Sequence, residues 1–167
     1  MKRAATGPST NTLRDKLETA NGVLFVELSG ALDENSDLQE LFARLSGDAV
    51  LNMRNVERVN SMGVHGWIPL MTRLSEQHRV VVDDISYALV QNANAVANMF
   101  GSAQVRSCMA PYFCATCSDN VTVPVLAAEV AVAGQSPPIK LCARCQSPMD
   151  FDELDGYFEF FKTRGVK

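Results

Sequence analysis

Two Cys-x-x-Cys pairs constrain this chain most: Cys114-Ala115-Thr116-Cys117 and Cys142-Ala143-Arg144-Cys145, separated by 24 residues. Two residues between thiols let one tight turn aim both sulfurs at a single ion, and a second such turn completes a tetrahedron. Four thiolates fill every coordination position, so the site is expected to be structural, with no position open to substrate. Zn2+ is the expected ion, and iron is the chemically allowed alternative, because tetrahedral sulfur suits either metal. The spacing between the pairs exceeds the usual zinc-site window and asks for a β-hairpin with a loop between them. A redox role would need one pair at a helix start in a thioredoxin-like unit, which two pairs flanking β-like arms do not provide. The fifth cysteine, Cys108, lies outside the pairs and is expected as a small core residue.

Length and composition fit a soluble globular protein. The 167 residues are 47% hydrophobic and 20% charged, enough for one modest core. A second unit of about 55 residues has too little apolar material to fold alone, so metal binding would supply folding free energy. No apolar run approaches the roughly 18–20 residues of a membrane helix. The N-terminus starts basic but has no apolar stretch before charges resume, so a cytoplasmic location is expected. The net charge of -4 argues against an electrostatic grip on nucleic acid or anionic lipid. From residue 107 onward five bases face seven acids, and four thiolates around a dication add further negative charge. An acidic ribbon is a poor phosphate binder, which leaves a nucleic-acid-associated zinc-ribbon protein as the alternative reading.

Strands and helices alternate over residues 20–110. Val23 to Leu28 and Ala49 to Met53 are expected strands, as are Val80 to Val82 and Gln104 to Met109. Between them, Leu38, Leu41, Phe42 and Leu45 share one helical face behind a Ser36–Gln39 capping box. Val64, Trp67, Ile68, Met71 and Leu74 form a second stripe, where Pro69 predicts a kink or a late helix start. Ile85, Leu89, Ala93, Val96 and Phe100 form a third, ending at Gly101. Such alternation implies a sheet with substantial parallel pairing. Residues 1–19 are expected as a tail or edge element, 20–110 as an α/β domain and 111–167 as a β-type zinc ribbon. In the ribbon, Val121 to Ala133 suggests two β-like arms, and the aromatic tail from Phe151 to Phe161 is expected to complete its core or dock it on the first domain.

Asn60-Ser61-Met62-Gly63 joins a strand to the second helix. A serine at that point suits a helix cap, and a phosphate would also sit well there, against free backbone donors and the helix dipole. Together with the strand 23–28, the turn Ser29-Gly30-Ala31-Leu32-Asp33 and the stretch Leu51 to Val56, this segment resembles a STAS domain over about residues 20–108. The resemblance implies a mixed sheet with packed helices and a binding role, as in anti-sigma factor antagonists. In that family an ATP-dependent anti-sigma kinase phosphorylates the first serine of an Asp-Ser-Ser/Thr-Gly stretch. Carried over, Ser61 is the candidate phosphoacceptor, and Asn60, Ser61, Met62 and Gly63 are the candidate partner-binding residues. Here Asn60 stands where the family has an acid and Met62 where it has a second hydroxyl, so constitutive, unswitched binding is the expectation. The implied partner is a protein, an anti-sigma-type kinase or a regulatory complex.

Other polar residues suggest no chemistry. His65 and His78 lie apart from any matched ligand, Asp83-Asp84 suit a helix start, and Arg54 and Arg58 suit a solvated rim. The sequence has no Gly-rich phosphate loop, nucleophile elbow or paired acid with a base, so no enzyme is expected.

Overall fold

The computed structural model describes residues 12–162. These described residues are mixed α/β, with two sheets and five helices among them. Five strands build the first sheet in chain order: β1 (Arg14–Ala20), β2 (Val23–Leu32), β3 (Ala49–Val59), β4 (Val80–Asp83) and β5 (Gln104–Val105). β1 is an antiparallel edge strand, and β2 through β5 run parallel. Of the expected tail or edge element, residues 14–20 form β1 and residues 1–11 lie outside the described residues. Asn21 and Gly22 turn β1 into β2 with φ of 52° and 78°, the two positive values a two-residue hairpin needs.

Three helices connect the parallel strands: α1 (Leu38–Ala43), α2 (Ser61–Gln77) and α3 (Tyr87–Ala95). Val26, Leu28, Leu51, Met53 and Val82 alternate along the strands and are buried, as period-two side chains under a helix layer should be. Trp67 of α2 is fully buried, meets Phe42 edge-on with centroids 5.2 Å apart, and donates its indole N–H to the Met99 carbonyl at 3.0 Å.

Several local expectations need correcting. Asp37, not Ser36, caps α1, accepting from the Glu40 N–H at 3.1 Å. Ser36 instead closes the preceding turn, donating to the Ala31 carbonyl and accepting from the Asp33 N–H, each at 3.0 Å. α2 starts at Ser61 and continues through Pro69, so the helix does not start late. α3 ends at Ala95 because Val96 takes an extended conformation and Asn98 a φ of 59°. β3 runs on to Val59 because it stays paired with β2 as far as Leu32, through two register shifts. The expected last strand breaks at Arg106, whose N–H donates to Val82 in the first sheet while its carbonyl accepts from Ala127.

Beyond that break the second sheet begins. It is antiparallel, in the order β7 (Asp119–Leu126), β6 (Ser107–Cys114), β9 (Pro148–Phe151), β8 (Lys140–Leu141). The second expected β-like arm is helical: α4 (Ala127–Val132) follows β7 directly. Glu129 explains the switch, because its carboxylate accepts from the Leu126 N–H at 2.8 Å and pairs with Lys140 at 2.7 Å. The aromatic tail docks back through α5 (Glu159–Lys162) and the turn before it. Asn94 of α3 donates to the Tyr157 carbonyl and accepts from the Phe160 N–H, both at 2.9 Å. The Tyr157 hydroxyl donates to the Met109 carbonyl at 2.6 Å. The buried apolar residues of the two sheets form one continuous cluster.

Candidate metal centre and helix-start surface

The four paired cysteines converge. Cys114 closes β6 and Cys117 lies in the turn leading to β7, while Cys142 follows β8 and Cys145 lies in the turn before β9. Their sulfurs all lie within 4.8 Å of one another. Two separations between the knuckles are 3.5 Å for Cys114–Cys145 and 3.9 Å for Cys117–Cys142. A tetrahedral ion with bonds of about 2.3 Å places its sulfurs about 3.8 Å apart, so the cluster has the size of one such site. Antiparallel pairing sets this up, since β6 pairs with β9 and β8 with β9, bringing the two turns together.

Both knuckles use the same backbone device. The residue after each second cysteine is left-handed, Ser118 with φ 50° and Gln146 with φ 60°. Glycine is the usual residue for that conformation, so neither position stands out in the sequence. Ser147 is a further contributor. Its hydrogen bonds to Cys145, from the side chain first and the backbone second, pull that thiol down to about 6. Backbone N–H groups of Cys145 and Arg144 lower the Cys142 thiol. Cys117 is pushed up to about 12, first by its contact with the Cys145 sulfur and then by burial. Four thiols this close resist ionising together unless a cation neutralises the cluster. That pattern fits a soft dication and four sulfur ligands.

Cys108 lies outside this cluster. It is fully buried in β6, and burial pushes its thiol well above the ordinary range, as suits an inert packing residue.

The second predicted site lies at the carboxyl ends of β2 and β3. Asn60, not Ser61, caps α2, its side-chain oxygen accepting from the Gly63 N–H at 2.9 Å. Ser61 is thereby left as the first helical residue, exposed at the helix start. Met62 beside it is 59% exposed, whereas Gly63 is buried. A side chain at Gly63 would place its Cβ 2.2 Å from the Leu32 carbonyl oxygen, so this glycine lets α2 press against the end of β2. Gly63 is thus a packing position, and Asn60, Ser61 and Met62 are the exposed residues of this segment.

Sequence reasoning missed Glu34. Its carboxylate accepts from the Asn60 side-chain amide at 2.6 Å, which holds the carboxyl below its ordinary range. An acid therefore borders the helix start from the neighbouring loop. The signal was the parallel register, Leu32 against Val59, which brings the loops after β2 and β3 side by side. Asp83 and Asp84 do not serve a helix start either, since Ser86 caps α3. Asp83 pairs with Arg106, and Asp84 accepts from Arg54 at 2.7 Å and from the Ser107 hydroxyl at 2.9 Å. These aspartates tie β3 and β4 to the chain passing into the second sheet.

No helix among the described residues is long and apolar enough to cross a membrane. No protein-family model matches the chain, and no curated protein matches it.

Proposed function

We propose that this chain is a non-enzymatic protein-interaction and regulatory module of STAS type, similar to anti-sigma factor antagonists, acting in the cytoplasm. Its second unit is held by a structural Zn2+ on Cys114, Cys117, Cys142 and Cys145. The observation that carries the interaction role is the presentation of Ser61 and Met62 on a helix start locked in place by Gly63. An unbranched, exposed methionine offers an adaptable apolar contact, and Asn60 with Glu34 supplies a polar rim. Ser61 is the acceptor if the partner is a kinase. A phosphate there would gain from the α2 N-terminus and add negative charge next to Glu34.

The test is affinity purification from the native cell with the wild-type chain, Met62→Arg and Ser61→Ala, read by mass spectrometry for partners and phosphopeptides. Met62→Arg should lose the partner, and Ser61→Ala should remove any phosphopeptide covering residue 61. Recovery of the same partners by wild type and Met62→Arg would place the interaction elsewhere. Nucleic acid binding that falls steeply with salt would favour the alternative ribbon role.

A further inference from the structure

The first sheet keeps one face open. From β2 to β5 the chain steps across the sheet in one direction, and crossovers of the usual right hand would place successive helices on the same side. The chain after α3 returns to that side too, where Trp67 and Ser75 of α2 bind Met99 and Ser102. On the opposite face the register aligns an apolar row, Phe25 beside Val50 beside Val81. Phe25 is 45% exposed, and Val50 and Val81 are half-buried. One step along the strands lies a polar row, Lys16 beside Glu27 beside Asn52 beside Asp83. Sheets of mainly parallel strands are ordinarily covered on both faces, so a partly exposed apolar row here is unusual.

We propose that this face binds a second copy of the chain, sheet against sheet, about a two-fold axis parallel to the strands and midway between β2 and β3. That operation lays β2 over β3 of the second copy and β1 over its β4. In the idealised register Phe25 then meets Val50 of the second copy, and Val50 meets its Phe25. In the polar row Lys16 meets Asp83 of the second copy, and Glu27 meets its Asn52. The same operation lays Glu18, beside Phe25 on β1, over Val81 of the second copy, and brings Lys16 and Asp83, which pair with Glu18 and Arg106 within one chain, together across the axis, each contact made twice by symmetry. Facing sheets pack about 10 Å apart, a gap that phenylalanine and valine side chains can fill. Charge points to the same occupant. Arg14, Lys16 and Arg106 balance Glu18, Glu27 and Asp83 on this face, in a chain whose net charge is -4. The neutral face is therefore where two acidic copies can approach without net repulsion.

The experiment is light scattering on the eluting full-length, metal-loaded chain, from micromolar to near-millimolar concentration. The proposal predicts a mass approaching twice the 18.2 kDa of one chain. Phe25→Asp should return it to a single chain mass. Lys16→Glu, on a side chain 66% exposed, should raise the dimer dissociation constant about tenfold or more, because like charges would then meet twice. Ile139→Asp, at an 82% exposed aliphatic side chain of the second unit, should leave the mass doubled. Far-UV circular dichroism checks that the variants fold, and if Phe25→Asp does not, Lys16→Glu decides alone. A wild-type chain that stays monomeric throughout overturns the proposal. So does a dimer whose dissociation constant is unchanged in Lys16→Glu, or one lost only in Ile139→Asp.

Discussion

The first sheet buries Val26, Leu28, Leu51 and Val82 beneath helices α1 and α2, and its largest core side chain is Trp67. The second sheet buries Tyr112, Val125, Met149 and a group of sulfurs, with one short helix after β7 and an aromatic tail folded back over it. Its aromatic rings contact one another in a chain: Phe151 lies 5.4 Å from Tyr112 and 5.6 Å from Tyr157, and Phe158 lies 5.1 Å from Tyr157. Aliphatic side chains on alternating strand positions can support a sheet by burial alone. Four strands, two of them short, carry less aliphatic area, and the rings, with the proposed metal on four sulfurs, would supply the rest. The two knuckles lie where β6 turns into β7 and where β8 turns into β9, and the proposed metal would tie these turns together.

This contrast can be broken by substitutions on either side of it. Cys114→Ser should have the largest effect: elemental analysis should fall from one bound ion per chain to none, and β6 to β9 should lose hydrogen-exchange protection. Trp67→Ala acts on the other side. It should cost about 3–5 kcal/mol in denaturant unfolding through the cavity it leaves, with metal content unchanged in the folded chain. Tyr157→Phe tests the seam between the sheets. It removes the bond to the Met109 carbonyl and should cost about 1 kcal/mol. Ser118→Gly should show the smallest effect and the opposite sign. Relief of the left-handed backbone should stabilise the metal-bound chain by about 0.5–1 kcal/mol in thermal unfolding.

The sequence made the metal centre more legible than the fold around it. Cys-x-x-Cys spacing is a local code, and the four sulfurs meet as the spacing implies. The strand-helix alternation was also legible, because Val23 to Leu28 and Val80 to Val82 are apolar runs and the helical stripes have the right period. Capping was less so. Ser36 and Asp37 are adjacent competitors, as are Asn60 and Ser61, and only the entry angle of the chain decides which one caps. The switch from strand to helix at Ala127 depends on Glu129 reaching Lys140, a contact made across a loop. Glu34 beside Asn60 is likewise a product of register, which pairs residues that composition cannot.

The central claim is that the second sheet depends on its metal and the first does not. Amide spectra of the full-length chain before and after removal of the metal by a chelator test this most directly. The account predicts that amides around Cys114, Cys117, Cys142 and Cys145 lose their dispersed positions, along with those of β8 and β9. Those of Val26, Leu51 and Val82 should keep theirs, and restoring Zn2+ should return the original spectrum. A chelated chain whose spectrum is unchanged throughout would contradict the account, as would one in which both sheets collapse together.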